Sequence, residues 1–209
     1  MYSQKDEEAH ILRLVGDRVG RFLDIGAYDG YNYSNTMALV ERGWEGIMVE
    51  PGLEAFQALL KRHGGNPKLT LVHAAIGPHV LGQFWNNPTT FSTTEQSNTK
   101  KFGGERFEEF WVPNVPIEAL LYRFPGPIDV LSIDTEGTSA NLFTAFPFGY
   151  CRGWPWCYHP QVVCVEHDAW WNSEWDMGRF NILEDFAESK GYHREYSNEE
   201  NVIFARNRP

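Results

Sequence analysis

Apolar residues recur along the first part of the chain in two alternating rhythms, and the switches between them mark its elements. Ala9, Ile11, Leu12, Leu14, Val15 and Val19 share one broad helical face and predict a helix over 7–19 that Gly20 stops. A short apolar run predicts a strand over 21–25, and a polar, glycine-containing stretch leads from it to a helix over 34–42 ended by Gly43. The pair of signals then repeats. A strand over 46–50 precedes Leu53, Phe56, Leu59 and Leu60 at helical spacing over 53–62; Gly64, Gly65, Asn66 and Pro67 terminate that helix, and a third strand follows over 69–76. Strands alternating with helices of about ten residues imply parallel strands joined by right-handed crossovers.

From 79 to 116 the rhythm breaks, with Asn86, Asn87 and Pro88, a Ser/Thr-rich stretch and Gly103–Gly104. Such composition predicts an irregular excursion over one face, a kind of segment that often carries binding loops. A helix over 117–122 returns the chain to a fourth strand over 128–134, apolar at nearly every position as a central parallel strand should be. A helix over 139–146, a second irregular insert over 147–160, a fifth strand over 162–166 and a helix over 180–190 stopped by Gly191 come next. Residues 192–196 and 201–205 flank 197–200 and read as a terminal antiparallel hairpin. The expected architecture is α/β: a doubly wound, mostly parallel seven-stranded sheet, Rossmann-like, with a C-terminal antiparallel hairpin. A chain of 209 residues suffices for one well-buried core and is short for two, so 1–209 is read as a single domain with inserts at about 79–116 and 147–160.

Composition narrows the partners. Eighteen basic and twenty-eight acidic side chains leave a net charge of −10, which opposes binding to a phosphate backbone, and nucleic acid is not expected. No apolar run approaches the length of a bilayer span, and residues 1–10 are polar and acidic where a secretory signal would be basic and then apolar, so no membrane contact and a cytoplasmic location are expected. Cys151, Cys157 and Cys164 are odd in number and point to free thiols. With His159 and His167 they could suggest zinc, but there is no C-x-x-C pair, and no metal site is assigned. Nothing in the sequence points to an oligomeric state.

The chemistry concentrates in the run Phe22-Leu23-Asp24-Ile25-Gly26-Ala27-Tyr28-Asp29-Gly30, followed twenty residues later by Val49-Glu50-Pro51. Glycines let the backbone turn tightly and approach a ligand, and a carboxylate closing the second strand can hold ribose hydroxyls. Dinucleotide folds use G-x-G-x-x-G. Here Tyr28 occupies the place of the middle glycine and would obstruct a diphosphate, which disfavours a nicotinamide oxidoreductase. Asp24 would repel phosphate yet suits the ammonium and sulfonium of S-adenosylmethionine. Asp24, Gly26, Ala27, Tyr28, Asp29, Gly30, Glu50 and Pro51 are the candidate cofactor residues.

Taken together, these segments resemble the S-adenosylmethionine-dependent methyltransferases of the FkbM type. The glycine run is similar to that family's first cofactor motif, Val49-Glu50-Pro51 to its ribose segment and Ala74-Ala75-Ile76-Gly77 to its next strand end. Asp129-Val130-Leu131-Ser132-Ile133-Asp134-Thr135-Glu136-Gly137 resembles its most recognisable signature, an apolar strand closing in Asp-x-Glu-Gly. Ser132 stands where a Lys is common before Ile-Asp, and Thr138-Ser139 where Ala-Glu is usual. The resemblance runs over about 21–206. It implies a class I methyltransferase fold, adds Ala75, Ile76 and Asp134 to the cofactor contacts, and makes the expected reaction O-methylation of a hydroxyl on a small molecule or glycan.

Taking a proton from a hydroxyl calls for a base, and Asp134, Glu136, Glu166, His167 and Asp168 fall at adjacent strand ends. His167 titrates nearest neutrality and is the first choice, with Asp134 and Glu136 as the other catalytic candidates. Asp134, Glu166 and Asp168 could instead hold magnesium in a metal-assisted O-methyltransferase. A binding module that kept the fold and lost turnover is the alternative outside catalysis. Trp154, Trp156, Tyr158, Trp170, Trp171 and Trp175 read as a wall on the acceptor side, and Arg152, Lys100 and Lys101 as cations that could meet an anionic acceptor.

Overall fold

The computed structural model describes residues 1–78, 81–86, 92–93, 108–149, 158–167, 170–171, 174–175 and 177–207. The first half runs α1 (Glu7–Val15), β1 (Arg21–Ile25), α2 (Met37–Glu41), β2 (Glu45–Val49), α3 (Leu53–His63) and β3 (Leu69–Val72). Four short or paired strands follow: β4 (Ala75–Ile76), β5 (Leu81–Asn86), β6 (Ser92–Thr93) and β7 (Glu108–Val115). The chain continues through α4 (Ile117–Arg123), β8 (Val130–Ile133), α5 (Ser139–Ala145) and β9 (Val162–Glu166). It ends with β10 (Trp170–Trp171), β11 (Glu174–Trp175), α6 (Met177–Ser189), β12 (Tyr192–Ser197) and β13 (Asn201–Arg206).

Seven strands form the main sheet in the order β12-β13-β9-β8-β1-β2-β3, with β13 antiparallel to both neighbours and the others parallel. This is the doubly wound sheet with a terminal hairpin that the sequence predicts. Alternation along the strands divides the interior in two. Leu23, Ile25, Ile47, Val49, Leu131, Ile133, Val163 and Val165 face one layer with α4, α5 and α6. Phe22, Met48, Val130, Val162, Cys164 and Ile203 face the other, against α1, Leu39 of α2 and Leu59 of α3. Both faces are therefore apolar, as burial under helices on each side demands. Phe143 of α5 centres the first layer, stacked on Phe204 at 5.7 Å and edge-on to Phe148 and Phe186.

Three of the differences from the sequence-based expectation have a local reason. Gly16 takes φ +64° and ends α1 one turn before Gly20, leaving Val19 exposed. The second helix starts at Met37 rather than residue 34, because the Ser34 hydroxyl accepts the Thr36 and Met37 amides at 3.3 and 3.0 Å and holds the preceding turn non-helical. The stretch 69–76 is two strands. β3 stays in the main sheet, whereas β4 leaves it and pairs with β7.

That departure changes the meaning of the first insert. β5 and β7 form a long antiparallel ladder from Leu81–Pro113 to Asn86–Glu108, and with β4 and β6 they make a second, four-stranded sheet. Ala75, Phe84 and Val112 give it a small core of its own. The turn-rich composition between these strands masked their alternation. Trp154, Trp156, Arg152, Cys151, Cys157, Asp168, Lys100 and Lys101 lie outside the described residues. Among the described residues no helix is long and apolar enough to cross a membrane.

Candidate active site

At the carboxyl ends of β1, β2 and β8 the strand order reverses direction, and a cavity of about 370 Å³ opens there. Its floor is the loop after β1. The amides of Gly26 and Ala27 donate to the Val49 carbonyl at 2.9 and 3.0 Å, which ties that loop to the end of β2. The Asp134 amide donates to the Ile25 carbonyl at 2.9 Å and ties β8 to the same point. Gly26 stands at φ +88°, and a Cβ there would be driven into the Asp134 carbonyl oxygen. Gly30, at φ +70°, is crowded by Leu59 and His63 of α3, and His63 Nε2 lies 3.0 Å from its carbonyl. Both glycines are thus demanded by backbone and helix packing within the fold.

Asp24 and Glu50 are buried in the cavity wall. The Thr36 hydroxyl donates to Asp24 Oδ2 at 2.6 Å, but desolvation prevails and pushes the carboxyl up to about 6. Glu50 accepts the Tyr28 amide at 2.8 Å on Oε2 and the Gly52 amide at 2.7 Å on Oε1. Burial outweighs those two bonds, and Glu50 is pushed up to about 7, with the Asp24 charge adding to the rise. Pro51, Ala75, Ile76 and Phe84 supply an apolar flank beside Glu50.

Asp134 and Glu136 line the cavity from β8 and the turn after it. Glu136 takes φ +51°, an unusual conformation for a glutamate, and its amide donates to Glu166 Oε2 at 2.9 Å. The Ser139 hydroxyl donates to the same oxygen at 2.9 Å. Carboxylate oxygens of Asp134, Glu136 and Glu166 lie within 4.8 Å of one another.

The structure thus brings Asp24, Gly26, Ala27, Tyr28, Glu50, Pro51, Ala75, Ile76, Asp134 and Glu136 to one cavity, and places three other expected residues elsewhere. Asp29 is a loop-builder: its Oδ1 accepts the Tyr31 and Asn32 amides at 2.9 and 2.8 Å, and Oδ2 accepts the Asn32 side chain at 2.6 Å. Gly30 packs under α3. His167 is buried, its Nε2 3.0 Å from the Asn198 carbonyl and its ring edge-on to Phe180, and it does not line the cavity. Its amide donates to the Glu200 carbonyl at 2.9 Å, because β9 has ended and the chain there follows the hairpin. Residues that the sequence reading left out also line the cavity: Lys5, Asn32 to Asn35, Phe84, Ser132 and Glu200. Most come from distant stretches, and only the polar run 32–35 lies next to the glycine loop in the sequence.

This sheet order, with one antiparallel strand entering beside β9 and a cavity at the reversal point, is that of the class I methyltransferase fold. Two solved structures share it. One is a protein of Pyrococcus horikoshii assigned as an RNA methyltransferase, 13% identical over 96% of this chain and 81% of its own, with a TM-score of 0.50. The other is the fibrillarin pre-rRNA processing protein of Methanococcus jannaschii, 9% identical over 97% of this chain and 76% of its own, TM-score 0.51. At such identities they speak for the fold alone. No curated protein matches the chain. The methyltransferase FkbM domain matches residues 24–194, and the chain belongs to that family. It is an S-adenosylmethionine-dependent methyltransferase.

Two outcomes follow from this geometry. Gly26→Ala should destabilise the ligand-free protein by about 2 kcal/mol or more, since the added carbon strains φ and strikes backbone. Urea unfolding checks it; an equally stable variant that had only lost ligand binding would show that the glycine serves the ligand instead. Glu50 is protonated in the folded chain at pH values where the unfolded chain has already released that proton, so its contribution to stability is whole at low pH and falls as pH rises from about 4.5 to 7. Glu50→Gln, which does not titrate, should gain on the parent by about 3 kcal/mol across that window. Urea midpoints at both ends of the window test this, and a constant gap would contradict the raised carboxyl.

Proposed function

We propose that the enzyme transfers the methyl group to a hydroxyl oxygen of a small molecule or glycan. The observation that carries this reading is the convergence of Asp24, Glu50, Asp134 and Glu136 on one cavity. The donor set fits S-adenosylmethionine. Glu50 is held by two backbone amides with lone pairs left to accept ribose hydroxyls, the flank of Pro51, Ala75, Ile76 and Phe84 suits an adenine, and the surrounding acids suit a cation. When bound, that donor supplies a methyl carbon made electrophilic by its sulfonium. The chain's own task is then alignment and proton removal.

Asp134 is the base in this reading, because it lines the cavity and His167 does not. Its carboxylate would take the proton of an acceptor hydroxyl held against the methyl group that the donor would supply. The −10 charge and the acid-rich lining support a neutral acceptor over a nucleic acid. A second reading rests on the three carboxylates of Asp134, Glu136 and Glu166, which could hold a divalent cation that polarises the hydroxyl.

A screen of sugars and glycosides for release of S-adenosylhomocysteine tests the acceptor class; turnover confined to amines or thiols would end the proposal. With an acceptor in hand, Asp134→Asn should lower kcat by about 10²- to 10⁴-fold while the protein stays folded. Unchanged kcat would remove Asp134 as base. Excess chelator should leave turnover intact if Asp134 works alone, whereas loss of activity restored by magnesium would establish the metal-assisted reading.

A further inference from the structure

We propose that Lys5 recognises the α-carboxylate of the methyl donor, which makes the N-terminal segment part of the donor site. The inference rests on the reading of the cavity as the S-adenosylmethionine site. That donor carries two cationic groups and one anionic group. Asp24, Asp134 and Glu200 can face the cations, but none of them can hold a carboxylate.

Backbone amides of the glycine loop are the usual resource for an anion, and here most of them are committed elsewhere. Gly26 and Ala27 donate to Val49, Tyr28 to Glu50, Gly30 to Ala27, and Tyr31 and Asn32 to Asp29. Lys5 is the only cationic side chain lining the cavity among the described residues.

Its position in the fold fits the role. Glu50 and Phe84 mark the cavity's β2 side, whereas Lys5 sits on the opposite side, with its Nζ 3.5 Å from Glu199 in the turn between β12 and β13. That ion pair is about half exposed on both sides and contributes little, so a carboxylate can displace it. The backbone of Lys5, in contrast, is fixed. Its amide donates to Glu7 Oε2 at 3.0 Å, and its carbonyl accepts the Ser3 hydroxyl at 3.0 Å. Glu7 is wholly buried, and its other oxygen accepts the side-chain amides of Asn198 and Asn201. The segment is thereby anchored to the hairpin, and it places one long, half-exposed cationic side chain at the cavity wall.

Calorimetry with two probes tests this. S-adenosylhomocysteine keeps the amino-acid arm, and methylthioadenosine lacks it while keeping adenine and ribose. Lys5→Met should weaken S-adenosylhomocysteine about 5- to 20-fold and leave methylthioadenosine within about twofold, with Lys5→Arg restoring most of the loss. Equal loss for both probes would mean that the segment acts by closing the cavity, and no loss for either would mean that Lys5 does not touch the donor; each result overturns the assignment. If the parent protein binds neither probe, the donor reading of the cavity fails, and this inference with it.

Discussion

The close passage of Gly26 under the Asp134 carbonyl is the constraint on which the site depends. β1 and β8 are hydrogen-bonded neighbours up to their last residues, and just beyond that point both chains leave the sheet in loops that pass close to one another. A side chain on Gly26 would push them apart. Because it has none, the ends of β1, β2 and β8 stay together, and the side chains just before the turns, Asp24, Glu50 and Asp134, face a common space. The glycine is a condition for the sheet edge as much as for any ligand.

Burying Asp24 and Glu50 in the cavity wall has an electrostatic cost that shows in their titration. Asp24 and Glu50 are buried, and desolvation raises both even though each accepts good hydrogen bonds. A site built this way holds negative charge reluctantly when empty and is relieved by a cation or by hydroxyl donors. A sulfonium nucleoside offers both. The same charges repel a polyphosphate, so the electrostatics and the glycine spacing favour the same kind of ligand.

The cavity is completed by segments far from it in sequence. Phe84 arrives on the second sheet, which the chain makes by sending β4 out of the main sheet to pair with β7. Lys5 and Glu200 arrive because buried Glu7 fastens the start of the chain to the asparagines of the last hairpin. The hairpin also takes His167 out of the cavity by holding its amide and ring against residues 198–200. Elements that serve stability at one edge of the sheet thus determine which titratable groups reach the site.

The alternation of apolar strands with amphipathic helices, the spacing of Gly26 and Gly30 and the carboxylate of Glu50 were legible from the sequence alone, because each is a local pattern with one physical reading. They specify the doubly wound sheet, the hairpin at its end and the kind of cofactor. Tertiary structure alone decided the rest: that Asp29 builds a loop, that Gly30 makes room for α3, that the first insert is a sheet, and that Lys5 reaches the cavity while His167 does not. Those facts depend on which distant surfaces compete for the same volume, and periodicity along a chain carries no information about that competition.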